Sequence, residues 1–312
     1  VNHISKRISQ KLEQRIEDDP RLGLQVQLEI LHNKNQLLSR IRHEFLSAKE
    51  QGGPDVVAYL EARNIDVDLG LDVMVQLVLH KRTTISTMVG ILRRHVNPKK
   101  QHLQDLQAIA DQLKLCVEHD VCDWDPTSAG GAGHLIIRHD ISEETKMELE
   151  KFQFPLPMVT RPRKLRRNTD SAFVLTSDGN GGSVILRDNH HDGDVCLDHL
   201  NRMNAVRFSI DGDTAFMIKN RWRSLDKPKP GETRADFEKR VRAFEKYDRT
   251  AMEVISMIVS DYEGVSGSNE FYLTHKYDKR GRTYCQGYHV TYQGAPWNKA
   301  VVQLAEKEIV PL

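Results

Sequence analysis

The sequence predicts a mainly α protein with small β elements, an α+β chain with a helical N-terminal domain, long helices further on and a short β-rich tail. Three observations carry that expectation. Apolar residues recur at threes and fours, as in Ile4, Ile8, Leu12 and Ile16, then Leu24, Leu28, Leu31, Leu38, Ile41 and Phe45, which is the period of one helical face. β-Branched and aromatic residues gather between Phe271 and His289, where they favour strands. A length of 312 residues with 39% hydrophobic and 29% charged side chains is enough to bury a core without disulfide or metal staples.

Read in order, the first 125 residues are helix after helix, punctuated by Pro20 and by Gly52-Gly53-Pro54. Two further helical patterns, Leu69 to Leu92 and Leu103 to Val117, are separated by Asn97-Pro98, because proline lacks a donor and disfavours helix in the residue before it. A glycine-rich run from Ser128 to Gly133 predicts a loop, Leu135-Ile136-Ile137 a short strand, and Ser142 with Glu143, Glu144 and Thr145 a helix start. Phe154-Pro155-Leu156-Pro157 forces an extended path into Arg161, Arg163, Lys164, Arg166 and Arg167, five cations in seven residues. A hairpin is expected next, Phe173 to Thr176 against Val184 to Arg187 around Asp178 to Gly182. Leu197, Leu200, Met203 and Val206 start a helix that leads towards Trp222, and Thr233 with Asp236 starts a long one striped by Phe237, Val241, Phe244, Ala251, Val254, Ile258 and Tyr262. Two long antiparallel helices are the expectation. Strands follow between Phe271 and His289, then a helix from Asn298 to Glu306.

The charge balance excludes a uniformly basic or polyacidic protein, since 45 basic and 44 acidic residues leave a formal net charge of +1. Residues 1–156 carry 20 basic and 23 acidic side chains and residues 157–312 carry 25 and 21, so a polyanion would bind the second half. Four cysteines, Cys116, Cys122, Cys196 and Cys285, make no disulfide framework in so long a chain. With no leader-like or membrane-spanning apolar stretch, the expected setting is reducing and cytoplasmic, away from membranes.

Several clusters carry potential chemistry. His190-His191-Asp192-Gly193-Asp194 has metal-ligand residue types, and a nuclease using His190, His191 and Asp194 is one reading; a polar loop with a helix cap is the other. Cys116, His119 and Cys122 recur at threes without a second pair at zinc spacing, as core cysteines on a helix do. The Arg161 to Arg167 run is either a solvated charge run or a proline-stiffened segment for phosphate contact. The tail is the most specific: Asp278-Lys279-Arg280-Gly281-Arg282, then Gln293-Gly294, then Asn298-Lys299. A carboxylate two spacers and a glycine ahead of an arginine can orient the guanidinium as a fork for a phosphodiester. A surface turn with a salt bridge fits those five positions too.

That tail resembles the D-x-x-G-R motif of the single-subunit RNA polymerases of bacteriophage and mitochondrial type, in which the motif opens the palm after the thumb and a Gln-Gly and a Lys-bearing helix follow. All three stand here in that order, with about one extra residue between motif and Gln-Gly. The resemblance covers residues 135–312, with its motifs in 277–305, and the first 130 residues share only helicity with it. It implies four segments: a helical N-terminal domain (1–133), a connecting region with hairpin and basic segment (134–194), a thumb-like helical hairpin (195–268) and the start of a palm (269–312). It implies that Asp278, Gly281 and Arg282 hold template and RNA–DNA hybrid, with Lys279, Arg280 and Lys299 as weaker additions.

The family's later motifs, with two metal-binding aspartates and a nucleotide-binding lysine, should lie beyond Leu312. Leu135 to Ser142 and Ile210-Asp211-Gly212-Asp213 mimic two of them but precede the tail motif, so neither is expected to bind metal. The resemblance therefore implies no catalytic residue and no metal site in this chain. It implies a heterodimeric DNA-dependent RNA polymerase, in phage form within the host-cell cytoplasm, whose second subunit carries the catalytic motifs and holds Mg²⁺. This chain alone would then be inactive; a fragment of a longer chain is the other possibility. A non-catalytic nucleic-acid-binding clamp is the alternative function.

Overall fold

The computed structural model describes residues 2–32, 34–93, 103–127, 133–175, 183–186, 189, 191, 193–217, 225–259 and 269–307. In chain order the elements are α1 (Asn2–Asp18), α2 (Pro20–Leu31), α3 (Lys34–Ser47), α4 (Val56–Glu61), α5 (Val67–His80), β1 (Arg82–Thr83), α6 (Ile85–Leu92) and α7 (Leu103–Glu118). Then come β2 (Asp123–Asp125), β3 (His134–Ile136), α8 (Glu143–Phe152), α9 (Leu197–Asn204), β4 (Phe208–Ile210) and α10 (Gly212–Met217). The last are α11 (Arg234–Val259), β5 (Glu270–Phe271), β6 (His275–Tyr277), β7 (Thr283–Cys285), α12 (Pro296–Val301) and β8 (Val302–Leu304). The fold is mainly α with small antiparallel sheets, as the periodicity predicts. No helix among the described residues is long and apolar enough to cross a membrane.

Two compact units divide the chain, residues 33–149 and residues 1–32 with 150–312. The sequence-based boundary at 133/134 lies inside the first of these.

In the unit of residues 33–149, α5 is buried without a break from Leu69 to Leu79, its apolar side chains interrupted by Asp72, which pairs with Arg42 at 3.0 Å, and by Gln76. Asp66 starts it by accepting the Leu69 N–H at 2.8 Å. Gly70 lets a neighbour approach, since a Cβ there would lie 2.8 Å from Leu60 Cδ2. The expected single helix from Leu69 to Leu92 is two helices, because Lys81 turns left-handed with φ 62° and Thr84 caps α6 through the Thr87 N–H. β1, β3 and β2 pair antiparallel, with Leu135 opposite both Thr83 and Trp124. Ser142 caps α8 through the Thr145 N–H at 3.2 Å. Cys116 and Cys122 are buried free thiols, and burial pushes both up to about 12, the behaviour of core cysteines.

The other unit is built on a core of Leu28, Val159, Phe208, Ile210, Val254, Ile258, Phe271, Leu273, Val290 and Val301. Leu28 brings α2 into this core. Asp19 caps that helix through the Arg21 N–H and Pro20 stands at its first position. Arg21 then donates to the carbonyls of Val159 at 3.0 Å and Glu270 at 2.6 Å, buried Gln25 accepts from the Val159 N–H at 2.8 Å, and the Glu29 carboxylate takes the Val174 and Leu175 N–H groups. α2 is thus a strap across segments far away in sequence.

Three expectations for this unit are corrected. The helix beginning near Val195 ends at Asn204, and Phe208–Ile210 is instead the central strand of an antiparallel sheet ordered β5-β4-β8, so one long helix, α11, stands among the described residues where two were expected. The β-rich run Val206 to Ile210 fits a pleat better than a helix. The segment after Asn298 is helical only to Val301 and then pairs as β8 with β4. Ile185 bridges in parallel to Tyr277, and the Val174 and Leu175 N–H groups go to Glu29, so the expected hairpin of Phe173 to Arg187 is absent among the described residues; its turn, Asp178 to Gly182, lies outside them, as do Asn97-Pro98, Trp222 and Tyr262.

Candidate nucleic-acid interface

The D-x-x-G-R segment is the turn of the β6-β7 hairpin, in which Tyr277 faces Thr283. Asp278 N–H donates to Arg282 O at 3.0 Å and Gly281 N–H to Asp278 O at 3.1 Å, leaving Lys279-Arg280-Gly281 as a three-residue loop. Such a loop needs its last residue left-handed, and Gly281 has φ 79°. The spacing of the motif is therefore a turn requirement first.

The same turn positions a cation. The Asp278 side chain, 5% exposed, accepts from the N–H groups of Arg280 and Arg282 at 2.9 Å through Oδ1. Its Oδ2 lies 2.6 Å from both Nε and Nη2 of Arg282. Burial alone would raise the Asp278 pKa, but the backbone N–H of Arg282, its guanidinium and the Arg280 N–H outweigh burial and hold the carboxyl at about 2. Arg282 remains 54% exposed, and its Cζ sits 5.6 Å from the Tyr284 ring centroid. A fork locked on one edge and open to solvent on the other can accept a phosphate.

Beside β7 lies an open cleft of about 750 Å³, lined by Tyr247, Tyr284 and Tyr288 together with Arg240, Gln293 and Asn298. Its walls are built by the Gln-Gly and helix segments. Gln293 clamps β7 by accepting the Cys285 N–H at 2.7 Å and donating to Thr283 O at 3.2 Å. Gly294 is required because a Cβ there would meet Asn298 Oδ1 at 2.6 Å, and Asn298 donates to the Tyr247 hydroxyl at 2.7 Å. Tyr247 in turn donates to the carbonyls of Tyr288 and His289 at 3.1 and 3.0 Å. Tyr288, 46% exposed, stacks on Phe154 with centroids 3.9 Å apart. Arg240 is held by Glu232 at 2.7 Å, and that hydrogen bond draws the Glu232 carboxyl down to about 2. Tyrosine faces with cations beside them are the surface on which unpaired bases stack.

Of the expected residues, Asp278, Lys279, Arg280, Gly281 and Arg282 share this turn; the Lys279 N–H reaches Asn189 Oδ1 at 3.4 Å, and Arg280 lies 3.8 Å from Asp278. Lys299 is exposed on α12, one position after Asn298. The basic run divides. Arg161, Arg163 and Lys164 line a second cleft, whereas Arg167 pairs with Asp170 at 3.1 Å and the Arg166 N–H caps the same carboxylate. Tyr247 and Tyr288 were not singled out by sequence; Tyr247 stands three residues after Phe244 on the apolar stripe of α11, the one signal that points to it.

Among the described residues no three His, Cys, Asp or Glu side chains group so as to hold a metal ion. Asp211 caps α10 through the Thr214 N–H at 3.0 Å and accepts from Gln303. His190 and Asp192 lie outside the described residues.

The unit thus carries a carboxylate-locked, half-exposed arginine beside an aromatic cleft, an arrangement chemically able to take a phosphate. Comparison narrows the class. The chain is 26% identical over 176 residues to a probable DNA-directed RNA polymerase of Agaricus bitorquis, covering 50% of this chain and 15% of that protein. It is 26% identical over 157 residues to a probable DNA-directed RNA polymerase of Gelasinospora sp. (strain G114), covering 48% of this chain and 17% of that protein. No protein-family model matches. These similarities support a relationship to RNA polymerases over about half of the chain, which spans about one sixth of the length of the curated relatives it matches.

Proposed function

We propose that the chain is the smaller, N-terminal subunit of a DNA-directed RNA polymerase of the single-subunit type, working as a heterodimer with a partner that carries the metal-binding aspartates. The observation that supports this most is the pairing of a half-exposed Arg282, locked by Asp278, with the tyrosine-lined cleft beside it. In this reading Arg282 and its turn hold template and hybrid by phosphate contact, the tyrosines receive unpaired bases, and α11 serves as a thumb helix. Among the described residues no cluster of acids is grouped to hold Mg²⁺, Asp278 being committed to Arg282 and Asp211 to its helix cap. Mg²⁺ then belongs to the partner's aspartates, where it would supply the phosphoryl-transfer chemistry, while this chain binds and orients the strands.

Templated RNA synthesis tests the proposal, measured with this chain alone, with the candidate partner alone and with both. Synthesis only by the pair is expected. Robust synthesis by this chain alone, or none by the pair, overturns it; salt-dependent DNA binding without any partner-dependent synthesis would leave a clamp protein instead.

A further inference from the structure

The second cleft, of about 600 Å³, is lined by Arg161, Pro162, Arg163 and Lys164 from the extended segment and by Asp198, Asn201, Arg202, Asn204 and Ala205 of α9 and its end. Four cations face it against one carboxylate. Among the described residues Arg161, Lys164 and Arg202 make no ion pair, in contrast to Arg167 with its Asp170. Asn201 builds the cleft: its Oδ1 accepts the Leu165 N–H at 2.8 Å and its Nδ2 donates to Leu165 O at 2.9 Å, pinning the basic segment to α9. Leu165 and Leu200 anchor that junction in a small core.

Asn204 supplies an independent observation. It is 2% exposed, its Oδ1 is 2.9 Å from His275 Nδ1, and its Nδ2 is a buried donor with no partner. Burial lowers the His275 pKa to about 4, so the ring is neutral. With Nδ1–H donating to Asn204 Oδ1 and the Tyr292 hydroxyl donating to Nε2 at 2.7 Å, both ring nitrogens of His275 are satisfied and the Asn204 Nδ2 is left over. An orphaned buried donor is costly, and an entering oxygen acceptor would relieve it.

We propose that this cleft is a binding site for a backbone phosphodiester of single-stranded nucleic acid, with Arg202 and Asn204 added to Arg161, Arg163 and Lys164 as its contacts. The cations select an anion, and the Asn204 N–H an oxygen acceptor. No aromatic side chain lines the cleft, so it takes the phosphate and not the base, unlike the tyrosine-lined cleft. The assignment deepens the nucleic-acid reading above and rests on it for the choice of nucleic acid over a free phosphate.

The test is fluorescence anisotropy of the full chain with two labelled probes, a short oligothymidylate and an abasic oligonucleotide of the same length, between about 50 and 200 mM salt. Arg202 is exposed, so Arg202→Ala should keep the fold, which circular dichroism checks. The variant should weaken both probes by the same factor and lower the salt slope by about one, and Arg202→Lys should restore the slope. Arg161→Gln provides a second reading of the same kind. Unchanged affinity and slope in both variants, or no binding of either probe by the wild-type chain, overturns the site. Pyrophosphate that binds wild type but not Arg202→Ala, without displacing the oligonucleotide, reassigns the cleft to a free phosphate and also overturns it. Because no partner and no synthesis enter this experiment, failure of the polymerase reading would leave its outcome intact.

Discussion

The β6-β7 turn and the Arg161 to Lys164 segment both present cations, but they hold them by opposite means. In the turn a buried carboxylate fixes one guanidinium, and the neighbouring cations are incidental. In the segment the backbone is fixed, by Asn201 at Leu165 and by Asp170 at Arg166 and Arg167, and among the described residues the side chains of Arg161 and Lys164 make no ion pair. The first arrangement gives direction to a single fork; the second gives a field. A strand passing both would be oriented at one and retained at the other.

Breaking the rigid side should have the largest effect on stability. A Cβ on Gly287 would lie 2.2 Å from Val290 O, a backbone atom that cannot step aside, so Gly287→Ala should cost about 1–3 kcal/mol. A lower urea midpoint with an unchanged slope checks this. Asn201→Ala should cost less, about 1–2 kcal/mol for two lost hydrogen bonds. Oligonucleotide affinity should also fall in that variant, because the basic segment is no longer tied to α9; an unchanged affinity would detach the cleft from its proposed anchor.

The two regions should also separate with pH. His275 is held neutral by burial, its pKa lowered from 6.5 to about 4. The unfolded chain therefore takes up that proton first, and the stability gained by keeping it neutral is complete above pH 6.5 and lost as pH falls towards 4. Asp278, held near 2 against an ordinary 3.8, keeps its ion pair through that window and loses it only below it. Urea midpoints measured from pH 7 to 4 should decline, and His275→Gln should flatten the decline. The smallest effect belongs to Arg167→Ala, which removes an exposed ion pair worth about 1 kcal/mol or less and should leave oligonucleotide affinity near that of wild type, since Arg167 does not line the cleft.

Local signals in the sequence foretold the local structure. Helical periodicity found α7, the Ser142 cap found α8, and the Asp278 to Arg282 spacing anticipated both the turn and the carboxylate-guanidinium pair. What it could not show depends on partners distant in the chain. α2 reads as one more amphipathic helix, yet Arg21 and Gln25 bond to residues more than 130 positions away. Phe208–Ile210 is too short to announce itself as a strand until β5 and β8 flank it. Lys81 gives no warning of its left-handed turn. Tyr247 and Tyr288 are ordinary aromatics until α11 and the tail bring them to one wall, and Asn204 becomes informative only through its missing partner.

The central claim is that Arg282 holds nucleic acid inside a two-chain polymerase. It is tested most directly by templated RNA synthesis from the reconstituted pair with wild-type chain and with Arg282→Ala. The account predicts that the variant pair, assembled to the same extent, loses at least about tenfold in synthesis, the equivalent of one charge-assisted phosphate contact of about 1.4 kcal/mol or more. Equal synthesis by the two pairs would contradict it.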